Sequence, residues 1–209
     1  MPTIASSVVN AERFAQGLTY SDFVAQATVN QDKFKANEAT VPLSEEDIAF
    51  FREAAAHPNG PAKVLALAEA WCGDVYRELP TAARIAEVTG MELRVFLRDQ
   101  NLDIMEEFLS NEGKSRAIPV FVFYTKDLKY LAHWTERSAG AHTKLAEIKS
   151  SAKAKLNLPQ SADFGNLQGA PQQAFLQEVI AGVRPFMDQW RREAIQEIRA
   201  VLGHALGIC

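Results

Sequence analysis

Cysteine is nearly absent from this chain. Cys72 and Cys209 are the only two among 209 residues, and two thiols so far apart cannot build the disulfide framework of a small secreted domain. Histidine is almost as scarce: His57, His133, His142 and His204 stand in unrelated contexts without ligand spacing, so neither a metal nor a cofactor is expected. No block of like charge occurs either. The formal net charge is -4, with Lys and Arg scattered among Asp and Glu, which leaves no basic field to attract a phosphate backbone and excludes nucleic acid as the expected partner. No apolar run reaches bilayer-spanning length, and "MPTIASSVVNAERFAQGLTY" at the N-terminus has neither a cationic n-region nor a long apolar h-region. The expectation is a cytoplasmic protein without a membrane partner. Internal repeats and low-complexity tracts are missing as well.

What is present is enough apolar material for a real core, since hydrophobic residues make up 47% of the chain and the length suits one domain with appendages. "NAERFAQGL" and "YSDFVAQA" read as short helices in an N-terminal extension, residues 1–43. Ser44, followed three residues later by Asp47, has the spacing of a capping box and predicts a helix over 45–56. "HPNGP" then breaks the chain. "AKVLALAEA" is a continuous apolar run of strand length, suited to burial on both faces, although its alanines leave a helix open by pattern alone. A helical pattern over 73–90, closing on Gly90, leads to the alternating strand "MELRVFLRD", and the order strand, helix, strand predicts parallel pairing.

"NLDIMEEFLSNEG" reads as one helix ending at Gly113, and "IPVFVFYTKDLKYLAHW" as a β-hairpin about "TKD". Residues 142–155 are expected to be helical, which closes an α/β domain over 44–155 with a central mixed sheet flanked by helices. A turn-rich connection, "NLPQSADFGNLQGAP", leads into a C-terminal helical extension within 156–209. Apolar residues there recur at helical spacing from Phe175 to Val201, with a kink or break expected at Pro185, near Gly182. Packing of this long helix on its own domain is the preferred reading; a homodimer face is the alternative.

The segment that carries chemistry is "AEAWCGDVYRELP", residues 68–80. A cysteine between a buried strand and a helix N-terminus meets unpaired N–H groups and the positive end of the helix dipole, which favour thiolate and predict a lowered thiol pKa. Redox chemistry would place a second thiol one helical turn on, but Val75 stands there.

"WCGDVYRELP" resembles the thioredoxin active-site segment WCxxC, with Pro80 in the place of the proline eight residues after the first cysteine. Loss of the Pro80 N–H leaves the Tyr76 carbonyl without a helical partner. "RAIPVFVF" is similar to the Ile-Pro that begins a thioredoxin strand. The resemblance implies a cis Pro119 facing Cys72, an Ile118 backbone free to pair with an extended peptide, and substrate contacts at Trp71, Gly73, Ile118 and Pro119. "RDQNLDIMEEFLSNEGKSRAIPVF" and "HWTERS" look like segments of a bacterial thioredoxin branch whose motif reads WCPDC or WCGDC. The likeness covers roughly residues 44–150 and implies a thioredoxin-like fold.

Two departures limit what the resemblance implies. Val75 cannot attack a disulfide, so dithiol chemistry within the motif is excluded. The buried strand acid of thioredoxins is also replaced, by Ala66, which removes the base that would serve a resolving thiol. Around the motif, Asp74 complements the helix dipole but opposes a thiolate, whereas Arg77 and Arg116 favour one if they face inward. Asp74 and Arg77 are read as a helix-start charge and a solvated side chain, Trp71 as a lid beside the motif, and His133 and Trp134 as packing residues. Cys209 could resolve a mixed disulfide only from a chain end.

Two functions remain open. In the first, Cys72 is the nucleophile of a monothiol thiol–disulfide oxidoreductase; its partners are a disulfide-containing protein or a low-molecular-weight thiol such as glutathione, which completes the cycle. In the second, a thioredoxin-fold binding or interaction module has lost redox turnover.

Overall fold

A computed structural model of the chain describes residues 7–208. Its centre is a four-stranded sheet in the order β2-β1-β3-β4. β1 (Lys63–Ala68) is interior, paired parallel to β2 (Glu92–Leu97) and antiparallel to β3 (Val120–Tyr124), which in turn pairs antiparallel with β4 (Tyr130–Thr135). That position explains the unbroken apolar run in β1: residues 64–68 are all buried, and a strand covered on both faces has no solvent side to alternate toward.

Helices cover the sheet. α4 (Glu45–Ala56) starts in the capping box of Ser44 and Asp47, with both reciprocal hydrogen bonds made. α5 (Gly73–Thr89) has Cys72 as its N-cap and ends on Gly90 at φ 75, a left-handed cap that favours glycine. At the C-terminus α8 (Gly169–Val183) stops where Pro185 enters a 3-10 turn, and α9 (Met187–Leu206) resumes beyond it. The long helix is therefore broken at the proline, as the missing N–H requires. α9 buries Ala194, Ile195, Ile198 and Leu202 in the main core against β4, α4 and α5, so its apolar stripe lies on the domain itself.

Three elements differ from their sequence pattern. Residues 101–113 do not form one helix: α6 (Leu102–Met105) passes into a 3-10 turn at 106–108, and Ser110 pairs with Ser115 around the left-handed residues Asn111, Glu112 and Gly113. α7 (Ala139–Lys155) begins three residues before 142, because Ser138 caps it by accepting the Ala141 N–H. The N-terminal extension holds, besides α1 (Ala11–Ala15) and α2 (Tyr20–Gln26), a third helix, α3 (Gln31–Glu38), whose polar sequence hides its one buried residue, Phe34. α7, α8 and Trp190 of α9 form a second, smaller apolar cluster that includes Phe175 and Val179.

The extension is built into the domain. Phe14, Phe23 and Phe34 belong to the main core. Asn37, in α3, donates from Nδ2 to the Tyr76 carbonyl at 2.8 Å, the group that Pro80 deprives of its helical donor. A half-buried acceptor left unpaired costs on the order of 1–2 kcal/mol. Asn37→Ala should therefore destabilise the fold by about 1 kcal/mol in urea titration. In a Pro80→Ala background, where an N–H is restored to the helix, the same substitution should cost less; equal costs would mean that Asn37 acts elsewhere.

Candidate active site

Cys72 lies between the end of β1 and the first turn of α5 with extended backbone angles, φ -80 and ψ 129. Its own N–H bonds to the Glu69 carbonyl at 3.1 Å, and its carbonyl accepts the Tyr76 N–H, so the residue is held from both sides. Asn30, ahead of α3, adds a hydrogen bond from Nδ2 to the Ala70 carbonyl at 2.9 Å. The thiol is half-buried and donates to the Ile118 carbonyl at 3.7 Å. The next peptide bond, Ile118–Pro119, is cis. A chain segment 46 residues downstream thus forms the far wall of the site.

The helix start does not make this thiol acidic. Burial, and after it the Asp74 carboxylate, push the Cys72 thiol above the usual cysteine range, outweighing the N–H groups of Val75 and Asp74 and the cation of Arg137. The expectation of a lowered pKa is corrected on that point: a dipole of about half a charge is worth less here than desolvation with a full negative charge beside it.

Asp74 is the best-compensated group in the site. Arg77 donates from Nη2 to its Oδ1 at 2.5 Å, and Arg137, from the turn after β4, donates from Nε to its Oδ2 at 3.1 Å and also bonds it through Nη2. Burial opposes ionisation of Asp74, but Arg77 and Arg137 outweigh it and hold the carboxyl below the ordinary range. Arg77 is not a solvated side chain. It is 3% exposed, it donates from Nε to Glu78 Oε1 at 2.5 Å, and its guanidinium lies 5.2 Å from the ring centre of Trp190. Glu78 is wholly interior with Oε2 unpartnered, and burial raises its pKa to about 7 against the pull of Arg77.

The other sequence candidates divide clearly. Val75 is fully buried, one turn beyond Cys72, and Ala66 is sealed in β1. Gly73 opens α5 with room for a Cβ, the nearest atom being the Tyr76 hydroxyl at 3.6 Å. Trp71 is 55% exposed, with the Arg98 guanidinium 5.2 Å from its ring centre, so it flanks the thiol from outside and does not seal it. Arg116 does not face the thiol: its guanidinium is half-exposed and engaged by Glu106, while its carbonyl accepts from Arg98. Trp134 stacks on Phe121 and His133 bonds Tyr130. Cys209 lies outside the described residues. Arg137 and Glu78 went unnoticed in the sequence; "HWTERS" contains the first, but nothing local ties it to position 74.

Glu78 carries a pH signature. An acid with a raised folded-state pKa binds its proton more tightly when folded, so stability should fall as pH rises between about 4.5 and about 7. The effect is at most about 3 kcal/mol. Asp74 acts in the opposite sense and at lower pH, its stabilisation being lost on acidification. Glu78→Gln should flatten the higher window in denaturant titrations at stepped pH; an unchanged slope would assign that window to other groups.

The family model described as Thioredoxin (Thioredoxin_9) matches residues 17–153. Two solved structures share the fold across nearly the whole chain. A protein of unknown function from Pseudomonas aeruginosa aligns with a TM-score of 0.59 at 15% identity, covering 94% of this chain and 99% of that one. An HIV epitope-scaffold aligns with a TM-score of 0.58 at 15% identity, covering 95% and 99%. No curated protein matches the chain. At such identity the two structures speak for fold alone, but the model spans well over half of the sequence and takes in β1, the Cys72 junction and the cis-proline strand: the chain belongs to the thioredoxin family.

Proposed function

We propose that this protein is a monothiol thiol–disulfide exchange protein of the WCxDC branch, with Cys72 as its nucleophile and Val75 in place of the resolving cysteine. The observation that carries the reading is the half-buried Cys72 thiol at the head of α5, 3.7 Å from the Ile118 carbonyl and beside the cis Ile118–Pro119 bond. A disulfide-containing segment would approach past the exposed Trp71 and Gly73, with the buried Ile118–Pro119 wall behind it and one of its sulfurs presented to Cys72.

The Cys72 thiolate attacks one sulfur of the target disulfide, the S–S bond breaks, and the departing thiolate takes a proton from solvent. Cys72 is then half of a mixed disulfide. A glutathione-type thiolate attacks the target's sulfur in that bond, forms a new disulfide with the target and releases Cys72 as thiolate. No net electrons are gained or lost by the protein. The raised Cys72 pKa makes this sulfur a poor leaving group, so the mixed disulfide should persist. Such chemistry suits the cytoplasm, where low-molecular-weight thiols are abundant. Among the described residues no helix is long and apolar enough to cross a membrane.

A second reading, a binding module without redox turnover, is favoured by the same raised pKa and by the thiol's role as donor to Ile118. Mass spectrometry after exposure to glutathione disulfide separates the two. In a chain carrying Cys209→Ser, the first reading expects one glutathione, absent when Cys72→Ser is added and removed by excess glutathione; a Cys72 that stays unmodified while the folded chain binds an extended peptide would establish the second. Val75→Cys should add measurable insulin-disulfide reduction, because the new thiol stands one helical turn from Cys72. A folded variant without that activity would mean that more than the second thiol has been lost.

A further inference from the structure

The turn after β4 is fastened to both walls of the thiol site. The Glu136 N–H donates to the Pro119 carbonyl at 2.7 Å, which holds the cis-proline loop. The adjacent Arg137 reaches the other wall and binds Asp74 in the first turn of α5. Cys72 closes the circuit through the Ile118 carbonyl. The turn is itself held by α9: Ser138 Oγ donates to Glu193 at 2.7 Å, and Glu197 accepts from the Ala139 N–H at 2.8 Å and from Trp134 Nε1 at 2.7 Å. Glu136, at φ 67, turns its carboxylate back on Arg137 at 2.6 Å and toward His142 at 3.5 Å.

We infer that Arg137 is a positioning residue for Cys72: by clamping Asp74 it sets the separation of helix head and cis-proline loop and governs the negative field at the sulfur. It acts through Asp74, whose carboxylate it holds, beside the smaller direct attraction of its own cation for the thiolate. The inference concerns regulation of the site under Proposed function and rests on Cys72 being its reactive group. Asp74 is the anion that opposes the Cys72 thiolate. Arg77 answers Asp74 from α5 but is shared with Glu78, whereas Arg137 is shared with Glu136 on the turn. From α9 the turn meets Glu193 and Glu197, both engaged as acceptors by Ser138, Ala139 and Trp134. Arg137 is therefore the cation from outside α5 that holds the Asp74 charge in place, and it is positioned by the C-terminal helix.

The test is the pH profile of iodoacetamide alkylation in the full chain carrying Cys209→Ser, so that one thiol is read. Arg137→Gln should move the midpoint upward and slow alkylation at pH 7 by about three- to tenfold, the lower thiolate fraction being partly offset by greater nucleophilicity. Arg137→Lys, which keeps the charge, should recover most of the rate. Adding Asp74→Asn to Arg137→Gln should bring the midpoint back toward the parent. A folded Arg137→Gln whose profile overlays the parent's, or an equal upward shift with and without Asp74, would overturn the inference. Should Arg137→Gln fail to fold, Asp74→Asn alone decides: the midpoint must move down, and an unmoved midpoint ends the proposal. Alkylation does not require exchange, so a Cys72 inert to glutathione disulfide whose midpoint still follows Arg137 removes the proposed function and leaves this inference standing.

Discussion

A carboxylate buried at the head of a helix must be neutralised where it lies, and the compensation of Asp74 is the constraint around which this site is assembled. One guanidinium comes from its own helix and another from a turn more than sixty residues away. Each arginine is in turn shared with a second acid, Glu78 for Arg77 and Glu136 for Arg137. Removing Arg77 would leave the interior Glu78 without its ion-pair partner, which is costlier than the pair itself is stabilising. The network therefore specifies geometry more than it contributes net stability, and the geometry it specifies is that of helix head, cis-proline loop and β4 turn.

The terminal helices take part in the same assembly. α3 supplies Asn37 to the carbonyl that Pro80 orphans, and Asn30, just ahead of it, holds the Ala70 carbonyl two residues before the thiol. α9 packs on β4, presents Glu193 and Glu197 to the turn that carries Arg137, and anchors itself to α4 through Arg199 and Gln196 on Asp47. Segments that look like appendages thus supply hydrogen bonds that the central α/β unit lacks. Their apolar residues merge with its core, so loss of either extension would expose buried phenylalanines or α9's own contact surface.

The chemistry at Cys72 is governed by a contest between a weak, general effect and two strong, local ones. Helix-terminal N–H groups favour a thiolate wherever a cysteine caps a helix. Here partial burial and a neighbouring anion prevail, and the thiol is left less acidic than an ordinary cysteine. Lost acidity changes what exchange can do: attack begins from a smaller thiolate fraction, and departure of Cys72 from a mixed disulfide is slower. With Val75 sealed where a second thiol would act, the motif holds no resolving thiol of its own.

Short-range order was legible in the sequence by itself. β1 showed as an apolar run, the Ser44–Asp47 box as a helix start, Gly90 as a helix end and Pro185 as a break, because each depends on neighbours within a few residues. The Trp71–Cys72 junction and Ile118–Pro119 stood out for the same reason, each being a contiguous motif. Only the tertiary structure decided what faces them. Arg77 turned inward because Asp74, Glu78 and Trp190 converge on it, Arg116 turned outward to Glu106, and α3 escaped notice because one buried phenylalanine leaves no periodicity. The Arg137 contact with Asp74 joins residues 63 apart in the chain. Pairing of charges at such separation depends on how the sheet and helices stack, and on the desolvation that stacking imposes, neither of which any local pattern encodes.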